Sequence, residues 1–164
     1  MSTKDAAREK KAVIAMYDEA DHRLLRIIAE SKTPGVSRTQ EIVNFAKCLG
    51  CQRIGIAHCV GVAEEAQALE RMLSESFEVT RVDCKVFGID AGELIEGASG
   101  AACNPVGQAK VLADAGTELN VVMGLCLGHD LLFAKHSTAS VTTLTVKDRV
   151  HDHNPIAALR EVSV

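Results

Sequence analysis

Apolar and polar positions change rhythm about a third of the way along the chain. From Ala12 to Ile28, Val13, Met16, Leu24, Leu25 and Ile28 recur at roughly helical spacing, with Tyr17 beside the stripe, which predicts an amphipathic helix. Thr33-Pro34-Gly35 breaks the chain. Ser37 then reads as the N-cap of a second helix carrying Ile42, Val43, Phe45 and Ala46, stopped at Gly50. Beyond this point short apolar runs alternate with helical segments. Arg53–Cys59 predicts a strand, Ala63–Ser74 a helix and Phe77–Val86 a second strand. Ala91–Ala102 is Gly-rich and shows no period. Asn104-Pro105 reads as N-cap and first-turn proline of a helix reaching about Ala115. Asn120–Cys126 predicts a third strand, His129–Lys135 a short helix, Val141–Lys147 a fourth strand, and Asn154-Pro155 opens a last helix over Ile156–Glu161.

Strands that alternate with helices imply parallel pairing through right-handed crossovers. The simplest result is an α/β fold, doubly wound, with a mostly parallel four-stranded sheet in the order 2-1-3-4 and two N-terminal helices. That order puts a switch point between the first and third strands, where such folds bind ligands. A length of 164 residues fits a single domain, 1–164, with the helical segment 1–50 packed on it.

Composition narrows the partners. A net charge of −4 with no basic block, and 3% aromatics with no Trp, argue against nucleic acid. No apolar stretch approaches the length of a membrane span, and Met1–Lys11 lacks the apolar core of a signal peptide, so a cytoplasmic protein is expected. In a reducing compartment six cysteines point to metal or catalysis rather than disulfides. A small-molecule substrate or a redox partner fits these features, and a homo-oligomer is compatible with them.

The strand order gathers the cysteines. Cys59 ends the first strand, Cys84 lies late in the second and Cys126 ends the third, and parallel neighbours stand about 4.8 Å apart. Cys103 precedes the helix that starts near the same edge. Four thiolates suit a [4Fe–4S] cluster or tetrahedral zinc. The wide scatter of the four along the chain favours the cluster over zinc, whose ligands usually come in paired knuckles. Each cysteine has a plainer reading as a small buried side chain. Cys48 and Cys51, a C-x-x-C at a helix end, are more simply a helix-face residue and a turn residue than a second site.

The stretch from Ser37 to Leu159 resembles a family of uncharacterised metal-binding proteins of archaea and anaerobic bacteria. The residues that carry the likeness are Gly55–Glu65, Cys84-Lys-Val, Cys103–Ala109, Thr117–Val122, Gly124–Asp130, Val141–Arg149 and His153-Asn-Pro155. The resemblance implies Cys59, Cys84, Cys103 and Cys126 as ligands. Gly124-Leu-Cys-Leu-Gly-His-Asp130 also looks like the nucleophile elbow of class I glutamine amidotransferases. On that reading Cys126 is a nucleophile with His151 or His153 as its base and Asp148 or Asp152 to orient it. The chain departs from that family in lacking His-x-Glu and a Gly-rich oxyanion loop.

Further candidates cluster on the same edge. His129 is a ligand or a donor to one, Asp130 a helix-start carboxylate, and Lys147, Asp148 and Arg149 either ligand-binding groups or a solvated turn. His58, one residue before Cys59, faces the other side of the strand and is expected to pack in the core. A third class, a module for a small anion, would use the helix starts at Asn104 and Asn154 with Arg149.

Overall fold

A computed structural model describes residues 3–162. The chain divides into two compact units, 1–50 and 51–164.

The first unit holds three helices, α1 (Thr3–Ile14), α2 (Glu19–Ser31) and α3 (Arg38–Leu49). The expected continuous helix over Ala12–Ile28 is interrupted between α1 and α2. The reason is local: Asp18 accepts a hydrogen bond from the Asp21 N–H at 2.9 Å while Asp21 takes the Asp18 N–H at 3.2 Å. This reciprocal cap starts a new helix where the apolar spacing alone suggested continuation. The apolar stripe is also not a buried face, since Val13, Met16, Leu24 and Leu25 are exposed and the buried residues of α2 are Ile27 and Ser31. The α3 helix follows expectation, with Ser37 capping Gln40 N–H and Gly50 closing the helix at φ 81°.

The second unit is an α/β layer structure. Its strands are β1 (Arg53–His58), β2 (Glu78–Asp83), β3 (Leu119–Leu125) and β4 (Ser140–Val146); its helices are α4 (Ala63–Ser74), α5 (Pro105–Asp114), α6 (His129–His136) and α7 (Pro155–Glu161). All pairings are parallel and the order is β2-β1-β3-β4, as the alternation predicted. Every residue of β3 is buried, as a central strand covered on both faces requires. Leu112 of α5, Phe133 of α6 and Val122 of β3 form one core with Ala57, Val82 and Cys84. The Gly-rich stretch Ala91–Ala102 folds as a loop that opens with one 3-10 turn, Ala91–Glu93, and a first 3-10 turn, Val86–Gly88, precedes it where the second strand was expected to end. A capping box between Asp90 and Glu93 holds the Ala91–Glu93 turn.

Close approach fixes one glycine in this packing. A β-carbon on Gly55 would overlap Asn120 Oδ1 and stand 2.8 Å from Leu112 Cδ1. Asn120 is 1% exposed. It accepts from the Thr117 hydroxyl at 2.8 Å and donates to Ser137 Oγ at 2.9 Å, satisfying polar groups that burial would otherwise penalise. Among the described residues no helix is long and apolar enough to cross a membrane.

Candidate functional site

Each candidate cysteine of the second unit sits immediately after a strand or before a helix, on the edge formed by the strands' C-terminal ends. Cys59 follows β1, Cys84 follows β2, Cys126 follows β3 and Cys103 precedes the α5 cap residue. Because β2 ends at Asp83, Cys84 lies just beyond the strand rather than within it.

Backbone hydrogen bonds set these positions. The Asn104 N–H donates to the Cys84 carbonyl at 2.8 Å, drawing the start of α5 against the end of β2. Cys103 Sγ consequently lies 3.7 Å from Cys84 Sγ. The Cys59 N–H extends the β1–β3 ladder by donating to the Met123 carbonyl at 3.0 Å.

The thiols differ in electrostatics. Burial pushes Cys84 up to about 11; a backbone contact from Val60 opposes this, and Cys103 and Cys59 add to it. Cys59 goes the other way. Burial works against its thiolate, but the Gly61 N–H, 3.4 Å from the sulfur, and the Lys147 ammonium outweigh that and lower its pKa, with Cys84 contributing. Lys147 reaches across from the end of β4, and a β-carbon on Gly61 would stand only 3.0 Å from its Nζ. Cys126 has its own cation, with Arg149 donating to its sulfur at 3.5 Å.

The histidines divide by partner. His151 lies against Asp148 at 3.4 Å and Glu161 at 3.2 Å. His153 Nδ1 lies 2.8 Å from the Val146 carbonyl and 3.4 Å from the Asp148 N–H. A β-carbon on Gly124 would meet the His153 ring at 3.5 Å. Neither imidazole hydrogen-bonds Cys126 among the described residues. Glycines at Gly124 and Gly128 take the positive φ of this turn, and Cys126 does not.

Asp130 accepts from the Gly128 and Leu131 N–H groups at 2.9 and 2.8 Å, a helix-start role. Asp148 accepts from the His151 and Val150 N–H groups at 3.1 and 2.9 Å, which lowers its pKa and closes the turn that follows β4. Cys48 is exposed and Cys51 buried.

Two supporting side chains carry no motif. His58, buried as expected, donates from Nδ1 to the Cys59 carbonyl at 2.9 Å and accepts from Arg81 at 3.1 Å; Arg81 in turn meets Glu70 at 2.7 Å. Gln108, fully buried on α5, donates to the His58 and Val82 carbonyls at 3.1 and 3.0 Å. Its Oε1 has no hydrogen-bond partner among the described residues. Beside Cys103 opens a cavity of about 740 Å³, walled mainly by apolar side chains and reached by His129.

Among the described residues, no group of three or more Cys, His, Asp or Glu side chains is gathered to hold a metal ion as it stands. The donor chemistry nonetheless suits a soft centre, with four thiols on one edge and two cations facing two of them.

Residues 1–144 match the model of a family described as a protein of unknown function (DUF1847), and the chain belongs to that family. An uncharacterized protein of Methanocaldococcus jannaschii is 47% identical over 155 residues, covering 92% of this chain and 75% of the relative. No solved structure matches the chain.

Proposed function

For this member of the family we propose a cysteine-ligated metal centre at the C-terminal edge of the sheet, of the [4Fe–4S] kind, with Cys59, Cys84, Cys103 and Cys126 as ligands. The observation that carries this reading is the meeting of thiols from separate elements. Cys84 and Cys103 come together from separate elements, Cys59 lies beside Cys84, and Lys147 and Arg149 stand against the sulfurs of Cys59 and Cys126. Four thiolates carry more negative charge than the metal neutralises, and two cations at the rim offset the excess. A bound cluster would supply electron transfer or, with one iron left open, activation of a small substrate. The chain's own residues hold the donors in place: His58 and Gln108 fix the strand ends that present Cys59 and Cys84.

Zinc is the second reading, and one distance favours it. Tetrahedral Zn–S bonds of about 2.3 Å place sulfurs about 3.8 Å apart, close to the 3.7 Å between Cys84 and Cys103.

Metal analysis of anaerobically purified protein tests both. Brown protein with about four irons per chain supports the cluster. Colourless protein with one zinc keeps the ligand set and removes the redox role. Protein free of both metals, before and after anaerobic reconstitution, overturns the proposal. Cys84→Ser is expected to abolish loading, and Cys48→Ser to leave it intact.

A further inference from the structure

We propose that the cavity beside Cys103 binds a small apolar molecule bearing one negative charge, of the organic carboxylate class. That this molecule is the metal centre's substrate rests on the reading above; that it binds does not.

Size comes first. About 740 Å³ falls within the roughly 300–1,000 Å³ of small-molecule sites. The walls are apolar: Phe87, Leu94, Ile95 and Leu132 line the space, each more than two-fifths exposed. Large apolar side chains held at a surface concavity are candidates for burial by a ligand.

Charge selects the class. The ionisable residues lining the cavity are Lys110, His129 and Cys103, with no carboxylate among them. Lys110 pairs with Asp114 at 2.7 Å, but both side chains are nearly two-thirds exposed, and such a surface pair is weak enough for an arriving carboxylate to compete. The first residues of α5, from Pro105 to Gly107, line the same space, so the positive end of a ten-residue helix adds to the preference for an anion.

The loop between β2 and α5, which lines one wall, is braced. Asp90 accepts from the Gly92 and Gly100 N–H groups at 2.9 and 3.0 Å, and Lys85 holds the Ala101 carbonyl at 2.7 Å. These bonds hold in place the loop that contributes Ala91, Leu94 and Ile95 to the cavity wall.

The test titrates the anaerobically purified full chain with decanoate by calorimetry, with decanol for comparison and iron and zinc measured on the same sample. We expect one-site saturable binding of decanoate, with decanol weaker by about tenfold or more. Leu94→Asp and Leu132→Asp, at exposed positions that tolerate polar residues, are each expected to weaken decanoate by about tenfold or more, since each sets a carboxylate in the wall. Leu159→Asp, on exposed α7, should leave binding unchanged. Absent saturation, equal affinity for the alcohol, or indifference to both wall variants overturns the inference. Decanoate binding by protein that stays metal-free overturns the metal centre alone, and loaded protein that ignores decanoate overturns the cavity's assignment alone.

Discussion

Gln108 Nε2 donates to the carbonyl of His58 at 3.1 Å, and the same nitrogen reaches the Val82 carbonyl at 3.0 Å. One buried amide therefore ties the ends of β1 and β2 together directly before Cys59 and Cys84. The spacing of those two thiols depends on a residue that makes no contact with either sulfur in the hydrogen-bond network.

Replacing Gln108 with Ala should remove both of these buried hydrogen bonds and leave a void in their place, at a cost on the order of 2–4 kcal/mol. Urea unfolding would measure it. A loss under half a kilocalorie per mole would show that the amide does not hold the strand ends.

Gly55→Ala should be harsher than its size suggests. The added methyl must displace Asn120, which breaks the buried links to Thr117 and Ser137. A loss of about 3 kcal/mol or more is expected from overpacking and unsatisfied polar groups together. Thermal unfolding of the variant beside the parent checks it.

Glu118 gives the second unit a dependence on acid. Its carboxylate accepts from the Arg53 N–H at 2.8 Å and the Gln52 N–H at 2.7 Å, and these bonds, Arg53 first, lower its pKa. A folded pKa below the unfolded value stabilises above the unfolded pKa of about 4.3 and loses that contribution as pH falls through the folded value. Wild type should therefore be more stable than Glu118→Gln at pH 7, and the two unfolding curves should converge in acid. A difference that stays constant with pH would exclude this role.

Metal occupancy should register in stability. If thiols from separate elements share one centre, binding energy adds to folding energy, and stripping the metal should lower the melting temperature. Cys103→Ser should remove that difference, whereas Cys48→Ser should preserve it. Identical melting of loaded and stripped protein would count against a shared centre.

Much of this architecture was readable in the residues because burial on both faces leaves strand-length apolar runs such as Val121–Met123, and Asn-Pro marks a helix start. The strand order and the common edge of Cys59, Cys84 and Cys126 follow from that alternation. The Ala12–Ile28 stripe misled because a reciprocal cap of two aspartates outweighed apolar spacing. Gln108 was invisible for a different reason: a lone Gln on an amphipathic helix looks like part of its solvated face. Lys147 was placed at the right edge, yet its reach to Cys59 depends on side-chain length and on the space left at Gly61. The cavity wall had no signature because single 3-10 turns have no period.

The sheet also sets an order of failure. β3 is buried at all seven positions, while β4 lies at the border of the sheet with half-exposed residues and a shifted register against β3. Border strands detach in partial openings that leave the centre intact. Lys147 and Arg149 ride on the end of β4, whereas Cys59 and Cys126 are anchored to the two middle strands. When β4 detaches, Cys59 and Cys126 should lose their cations while their sulfurs stay in place, leaving those two thiols briefly open to whatever oxidant or metal is near.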